Sequence, residues 1–529
     1  MKFGSLPAYI NGRDVVADDA QFVHTVTARA IIEDTFPSLA LKRDLDQGAA
    51  VPDAADERVV GACAVADAGT VELALQAAAE AAPAWAGVPL RDRIEIGRLL
   101  ADRISQHLDP LVELLVAEGT PRSAAQGMIG GLPLTSWSPE TLEWCAGQLE
   151  FRRQDGDREM ILRRVPDGVV CINPPQNAAT VNALNGLTAL LSGNTAVVRA
   201  PRGVALSCMY AIREVVAPVL AEAGAPPGTV NVLCGPPMLD AWLASPHVND
   251  VLYFGGSKKG MEFERDCIAT GKKPILELAG NDCCVVWRDA DLDAAIDSIT
   301  HFFLNSGQIC NVPNQVIAHP AIADELLDRL TVAIKEIQPG YPEEPEVVLT
   351  PVLGVDWFYG CLGEALGKGA RLVHGGRRLE VDGSPSDTGF FVEPTVVRVD
   401  GLDDARSLSV VRDETFFPLL PVIVPDAGTP DSALLDQVLA FVNANTYGLR
   451  NSFWSTGPEF IQRVLDGVTN GGNLKINDSH DGFLPFLPNQ GGTGLTGGAF
   501  GEASHPMLRT THLQGVSILR PADHRGALR

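Results

Sequence analysis

Val169-Val170-Cys171-Ile172, Ala196-Val197-Val198, Val230-Asn231-Val232-Leu233 and Val251-Leu252-Tyr253-Phe254 decide the architecture of this 529-residue chain. Each is a short apolar run rich in β-branched residues, as expected of strands buried on both faces. Helical spacing fills the gaps, at 182–191, 206–223, 238–244 and 258–269. Strand and helix alternating at this interval predict βαβ units on a parallel sheet, hence an α/β domain. Beyond Glu277 the rhythm repeats, with strands at 283–287 and 315–318 and helices at 292–304 and 322–337. A second parallel-sheet α/β domain is therefore expected.

Outward from these units the pattern changes. From 70 to 119 it is helical: Ile94, Ile96, Leu99, Leu100, Ile104, Leu108, Leu111, Leu114 and Leu115 form one apolar stripe, stopped by Gly119 and Pro121. Residues 143–164 alternate charged and apolar positions like an exposed β-hairpin, and 510–519 alternate similarly. Exposed strands of this kind seek partners, so pairing between subunits is expected. Residues 25–58 read as an irregular polar insertion with no assignable element.

The 41 Lys and Arg against 66 Asp and Glu give a net charge of −25. Such a surface disfavours nucleic acid and anionic membranes as partners. The first residues, Met1 to Pro7, lack the apolar core of a signal peptide, and no 18-residue stretch is uninterruptedly apolar. Ten scattered cysteines, mostly in apolar runs, read as free thiols of a cytoplasmic protein. No CxxC or HExxH occurs, so no metal site is expected.

Three segments carry candidate chemistry. Phe303-Leu304-Asn305-Ser306-Gly307-Gln308-Ile309-Cys310 places one cysteine after a Gly-Gln turn in polar surroundings, unlike the other nine. Pro274-Ile275-Leu276-Glu277-Leu278 sets a carboxylate in an apolar strand, where desolvation raises its pKa toward that of a useful base. Asn177, in the loop after the strand at 169–172, offers an amide to an oxyanion. Singly, each is more often a buried thiol, an edge-strand carboxylate or a loop amide. A fourth stretch, Gly492-Thr493-Gly494-Leu495-Thr496-Gly497, satisfies GxGxxG but follows Pro485 and Pro488 and opens no helix, so it reads as a loop.

Taken in order, Asn177, Glu277 and Gly307-Gln308-Ile309-Cys310 resemble the aldehyde dehydrogenase superfamily. So do Ala8-Tyr9-Ile10-Asn11-Gly12, Ala78 to Trp85 with Arg91, Gly389-Phe390-Phe391-Val392-Glu393-Pro394-Thr395, Glu414-Thr415-Phe416-Phe417-Pro418 and Tyr447-Gly448-Leu449. The resemblance implies a cofactor-binding, Rossmann-like domain over 1–142 and 165–278 and a catalytic domain over 279–480. A small β oligomerisation arm over 143–164 and 497–520 completes it, in a homodimer or homotetramer. It implies that Cys310 attacks the aldehyde, that Asn177 and the Cys310 N–H hold the oxyanion, and that hydride leaves to a nicotinamide. Glu277 then activates water against the resulting thioester. Relatives that pass the acyl group to coenzyme A usually lack this Glu, so a free acid is the expected product. The alternatives are a coenzyme A-acylating enzyme and a catalytically silent binding subunit.

For the cofactor the resemblance implies Pro175, Arg199, Arg202, Gly256, Ser257, Leu278, Glu414 and Phe416 as contacts. Arg199 stands where the family has Lys and Arg202 where it has a Glu that favours an unmodified ribose. A guanidinium there favours a 2′-phosphate, so NADP is expected over NAD. Gln176, Ala178, Ala179, Gln315 and Phe417 also depart from the family pattern and are expected to reshape the substrate tunnel.

Overall fold

The computed structural model describes residues 2–501 and 503–519. The four opening runs are parallel neighbours in a seven-stranded sheet. Its order from edge to edge is Lys273–Glu277, Asp250–Phe254, Val169–Asn173, Thr195–Pro201, Val230–Gly235, Ala8–Ile10 and Arg13–Val15. The N-terminal hairpin adds antiparallel; the other five strands run parallel. Strand alternation sends Val170 and Ile172 to the face that also holds Leu100, Ile104 and Leu206. Val169 and Cys171 face the other way, with Val71, Leu75 and Phe263. Helices cover both faces, which is why these strands read as unbroken apolar runs.

The chain lays Thr195–Pro201 and Val230–Gly235 on one side of Val169–Asn173, then returns to place Asp250–Phe254 on the other. The strand ends diverge at such a reversal and leave a crevice beyond their carboxyl termini. A second seven-stranded sheet runs Arg371–His374, Thr395–Asp400, Leu419–Val424, Gln315–Ala318, Cys283–Val286, Arg450–Trp454 and Asn473–Ile476. It is parallel except for its first pairing. A three-stranded antiparallel sheet joins Glu150–Asp155, Arg158–Pro166 and Thr511–Leu519. The expectation of an α/β fold with two parallel sheets and a small β arm is met; residues 502 and 520, assigned to that arm, lie outside the described residues.

Four local expectations need correction. Residues 25–58 are not irregular: Ala28–Glu33 and Thr35–Asp46 are helices, the first capped by the Thr27 hydroxyl, around a small core of Val26, Ala30, Leu45 and Val59. That core draws on few apolar residues, so no long periodic stripe announces it. Residues 143–149 are helical, because Pro139–Leu149 is a helix with Ser138 as its cap; the hairpin starts at Glu150. The helix from Leu292 stops at Thr300. Leu99 faces solvent, because the helix Leu90–Gln106 buries the face of Ile94, Ile96, Leu100 and Ile104 and Leu99 lies off it; the stripe is also split at His107, where the helix Leu108–Ala117 begins.

The run Arg202–Glu222 is long and apolar enough to cross a membrane, with mean hydropathy 1.6. Its Leu206, Met209, Ile212 and Val215 are instead buried in the core of the first sheet.

Candidate active site

Cys310 owes its position to a distorted connection. After Thr300 the chain passes through a 3₁₀ segment, Leu304 turns extended at ψ 136°, and Asn305, Ser306 and Gly307 take φ of +50°, +54° and +71°. Left-handed non-glycine residues are costly and persist only when their surroundings hold them. Here the segment 348–351 does so. Asn305 N–H donates to the Val348 carbonyl at 2.8 Å, and the Ser306 hydroxyl donates to the Thr350 carbonyl at 2.7 Å. The Gln308 amide donates to the Thr350 hydroxyl and the Pro351 carbonyl. At Gly307 a Cβ would lie 2.9 Å from the Phe417 carbonyl oxygen, so the Gly-Gln pair serves a tight backbone approach.

Glu277 ends the edge strand Lys273–Glu277, yet is only 3% exposed. The glycine-rich loop covers that edge: Leu278 N–H donates to the Thr496 carbonyl, and the Gly491 N–H donates to Glu277 Oε2. The GxGxxG stretch is thus a turn that seals the site, with Thr493-Gly494 paired to Tyr447-Gly448. Just past Glu277, a Cβ on Gly280 would fall 1.9 Å from the Cys310 carbonyl oxygen. This close passage brings Glu277 Oε1 to 3.8 Å from Cys310 Sγ. From the opposite side, the loop after Val169–Asn173 delivers Asn177, whose amide donates to the Gln308 carbonyl at 3.0 Å. An amide has two N–H groups, and this bond uses one.

Cys310, Glu277, Asn177, Pro175, Gly256, Leu278, Glu414 and Phe416 all line one cavity of about 780 Å³. Burial pushes the Glu277 carboxyl up to about 8, against the Gly491 N–H and the Arg450 charge, which pull it down. Burial likewise pushes Glu414 up to about 8, although its carboxyl accepts the Gly280 N–H at 2.7 Å. Burial first, then the Glu277 and Glu414 carboxylates, raise the Cys310 thiol well above its ordinary value. The Cys310 thiol is therefore held in its protonated form beside the Glu277 carboxyl. Of the ten cysteines, Cys310 alone is not fully buried.

The remaining expected residues sit around the cavity, not in it. Ser257 opens the helix Ser257–Ala269, and its hydroxyl donates to the Leu495 carbonyl at 2.7 Å. Arg199 is buried and donates to the Pro174 and Gly235 carbonyls, while its Nε has no partner. Arg202 lies exposed just past the strand Thr195–Pro201. Of the five departures expected to reshape the tunnel, Ala178 alone lines the cavity. Gln315 is buried in its strand against Asn281 and Val411, Phe417 packs edge-on to Trp357 and Phe358, Gln176 lies beside Gly203, and Ala179 is buried.

Sequence reasoning missed Arg450. It is fully buried, donates to the His480 and Asn489 carbonyls at 2.7 and 3.0 Å, and lies over the Phe483 ring. It thereby holds the 480–489 loop, whose Asp481, Phe483, Leu484 and Asn489 line the cavity. The sequence carried little signal for it, because Arg450 opens the strand Arg450–Trp454 and is followed by the polar Asn451 and Ser452.

The model of the aldehyde dehydrogenase family matches residues 42–511. The chain is 28% identical over 413 residues to an NADP-dependent succinate-semialdehyde dehydrogenase of Escherichia coli (strain K12), covering 75% of this chain and 80% of that one. It is 25% identical over 491 residues to an NAD-dependent benzaldehyde dehydrogenase of Pseudomonas putida, covering 90% and 94%. In fold it is similar to a crystal structure of an NAD-dependent aldehyde dehydrogenase from Sinorhizobium meliloti, with TM-score 0.79 at 24% identity over 99% of this chain and 97% of that one.

Proposed function

Because the chain belongs to the aldehyde dehydrogenase family, we propose that it oxidises an aldehyde to the free carboxylic acid, with Cys310 as nucleophile and Glu277 as base. The observation that carries this reading is the 3.8 Å approach of Glu277 Oε1 to Cys310 Sγ inside the cavity that Asn177 also lines. Glu277 is the carboxylate nearest the thiol proton, and its raised pKa suits it to accept one near neutral pH. The thiolate adds to the carbonyl carbon, and the new oxyanion meets the spare Asn177 N–H and the Cys310 backbone N–H. A nicotinamide dinucleotide supplies the hydride acceptor when bound, leaving a thioester on Cys310. Once the thiol proton has passed from Glu277 to solvent, Glu277 takes a proton from water as that water attacks the thioester and returns it to the departing Cys310 sulfur, releasing the acid and the free thiol. Coenzyme A transfer needs no such buried base beside the sulfur.

The chain's own residues suit an anionic dinucleotide. The helix Ser257–Ala269 has no side chain capping its N-terminus, and a Cβ on its preceding Gly256 would meet nothing within 4 Å. Free N–H groups there favour a pyrophosphate. Arg202, exposed and in no ion pair or hydrogen bond among the described residues, supports a 2′-phosphate and hence NADP over NAD. Pro175, Leu278, Glu414 and Phe416 are assigned to the nicotinamide end, Arg199 to the adenosine end. We assign residues 1–142 and 165–278 to cofactor binding, 279–480 to catalysis, and the β arm to assembly of a homodimer or homotetramer.

Purified protein mixed with aliphatic and aromatic aldehydes and either NAD or NADP tests the reading through reduced-cofactor absorbance. Turnover by the wild type, abolished in Cys310→Ala and faster at low NADP than at low NAD, is the expected result. Turnover retained by Cys310→Ala contradicts the nucleophile.

A further inference from the structure

We propose that the aldehyde oxidised by this chain is uncharged and largely apolar, and that the cavity excludes aldehydes bearing a second, anionic carboxylate. This rests on the cavity being the aldehyde site proposed above. Among the described residues that line it there is no Lys or Arg. Much of its wall is apolar, formed by Met128, Leu132, Val181, Phe483 and Leu484, and Ala178 leaves room beside Asn177. Sites built this way bind apolar bodies and fix them by a few placed polar groups.

The polar part of the lining is neutral or acidic. Asn182 and Gln490 are hydrogen-bonded to each other, and the Asn182 amide also donates to the Ala178 carbonyl. The carboxyl groups are Glu277 and Glu414, which burial raises to about 8, and Asp481. Burial works against it, but the His301 bond at 2.8 Å and its charge hold Asp481 well below the usual carboxylate range, so it stands ionised. The nearby buried guanidinium, Arg450, is not in the lining and already serves two loop carbonyls.

An anionic tail therefore meets two penalties. It leaves water with no cation to pair with, the costliest form of burial. It also places an anion near Glu277, pushing that carboxyl further up and shrinking the ionised fraction that serves as base. A net charge of −25 slows the approach of any anion as well. A methyl ester of the same carbon skeleton avoids all three.

The test compares 4-oxobutanoic acid with its methyl ester, which differ by one methyl group and one charge, using the wild-type enzyme and reduced-cofactor absorbance. The ester is expected to exceed the acid in kcat/KM by at least about 100-fold, the scale on which a site rejects a group it cannot pair. Leu134 lines the cavity and is largely exposed, so a cation fits there without disturbing the core. Leu134→Arg should narrow the ester-to-acid ratio by about 10-fold through one charge-assisted contact. Equal rates for acid and ester, or a preference for an ω-amino aldehyde over the ester, overturn the charge inference while leaving the aldehyde reading intact. No turnover of ester, acid or any aromatic aldehyde overturns both.

Discussion

Glu277 and Cys310 act as a pair because each changes the other's proton affinity. Glu277, pushed up to about 8 by burial, is mostly protonated at pH 7 and mostly ionised at pH 9. Thioester hydrolysis should therefore quicken as pH rises through about 8 and level off above it, and stopped-flow deacylation rates read this directly. A flat profile from pH 7 to 9 contradicts Glu277 as the base. The same shift has a stability counterpart: a carboxyl whose folded pKa exceeds its unfolded value loses its stabilising contribution as pH climbs from about 4.5 to about 8. At this scale the sequence was legible where a residue type clashed with its neighbours. A carboxylate inside Ile275-Leu276-Glu277-Leu278 and a cysteine among polar residues both stand out. Arg450 gave no such clash, since Asn451 and Ser452 follow it, and its partners, the His480 and Asn489 carbonyls, are distant in sequence.

The elements around the site act through backbone fit. The passage of Gly280 beneath Cys310 leaves no room for a side chain, with a Cβ placed 1.9 Å from the carbonyl oxygen. Gly280→Ala must push the Cys310 loop away from Glu277, and misplacement of about 1 Å costs on the order of 100-fold in rate. We expect such a loss in kcat with the circular dichroism spectrum and cofactor affinity retained. Full activity in this variant means that the loop tolerates displacement. The strands and most helices were legible because periodicity reports burial, which tertiary packing then enforces. The left-handed Asn305-Ser306-Gly307 turn was not, because the clamp that holds it comes from residues 348–351. The two helices over residues 28–46 escaped notice for the opposite reason: their core is too small to impose a long apolar stripe.

On the scale of the whole molecule, the β arm leaves apolar side chains without cover. Phe151, Leu162, Leu513 and Leu519 are each about half exposed or more, on strands that leave Glu150–Asp155 and Thr511–Leu519 as free edges of their sheet. Exposed apolar edges of this sort are places of self-association. Sedimentation is expected to show an oligomer for the wild type and a monomer for Phe151→Glu combined with Leu513→Glu. A monomeric wild type contradicts the arm's assigned role. The arm's strands were readable from alternation at 510–519, whereas its third partner blurred into the preceding helix, whose end at Leu149 no glycine or proline marks.

The most direct test of the central claim separates acylation from hydrolysis. Wild type and Glu277→Gln are mixed rapidly with an aldehyde substrate and cofactor, and reduced cofactor is followed through the first turnover and beyond. The glutamine variant should give a burst of up to one equivalent of reduced cofactor per active site, followed by steady turnover at least about 100-fold below wild type. Steady turnover equal to wild type contradicts Glu277 as the base that releases the acid from Cys310.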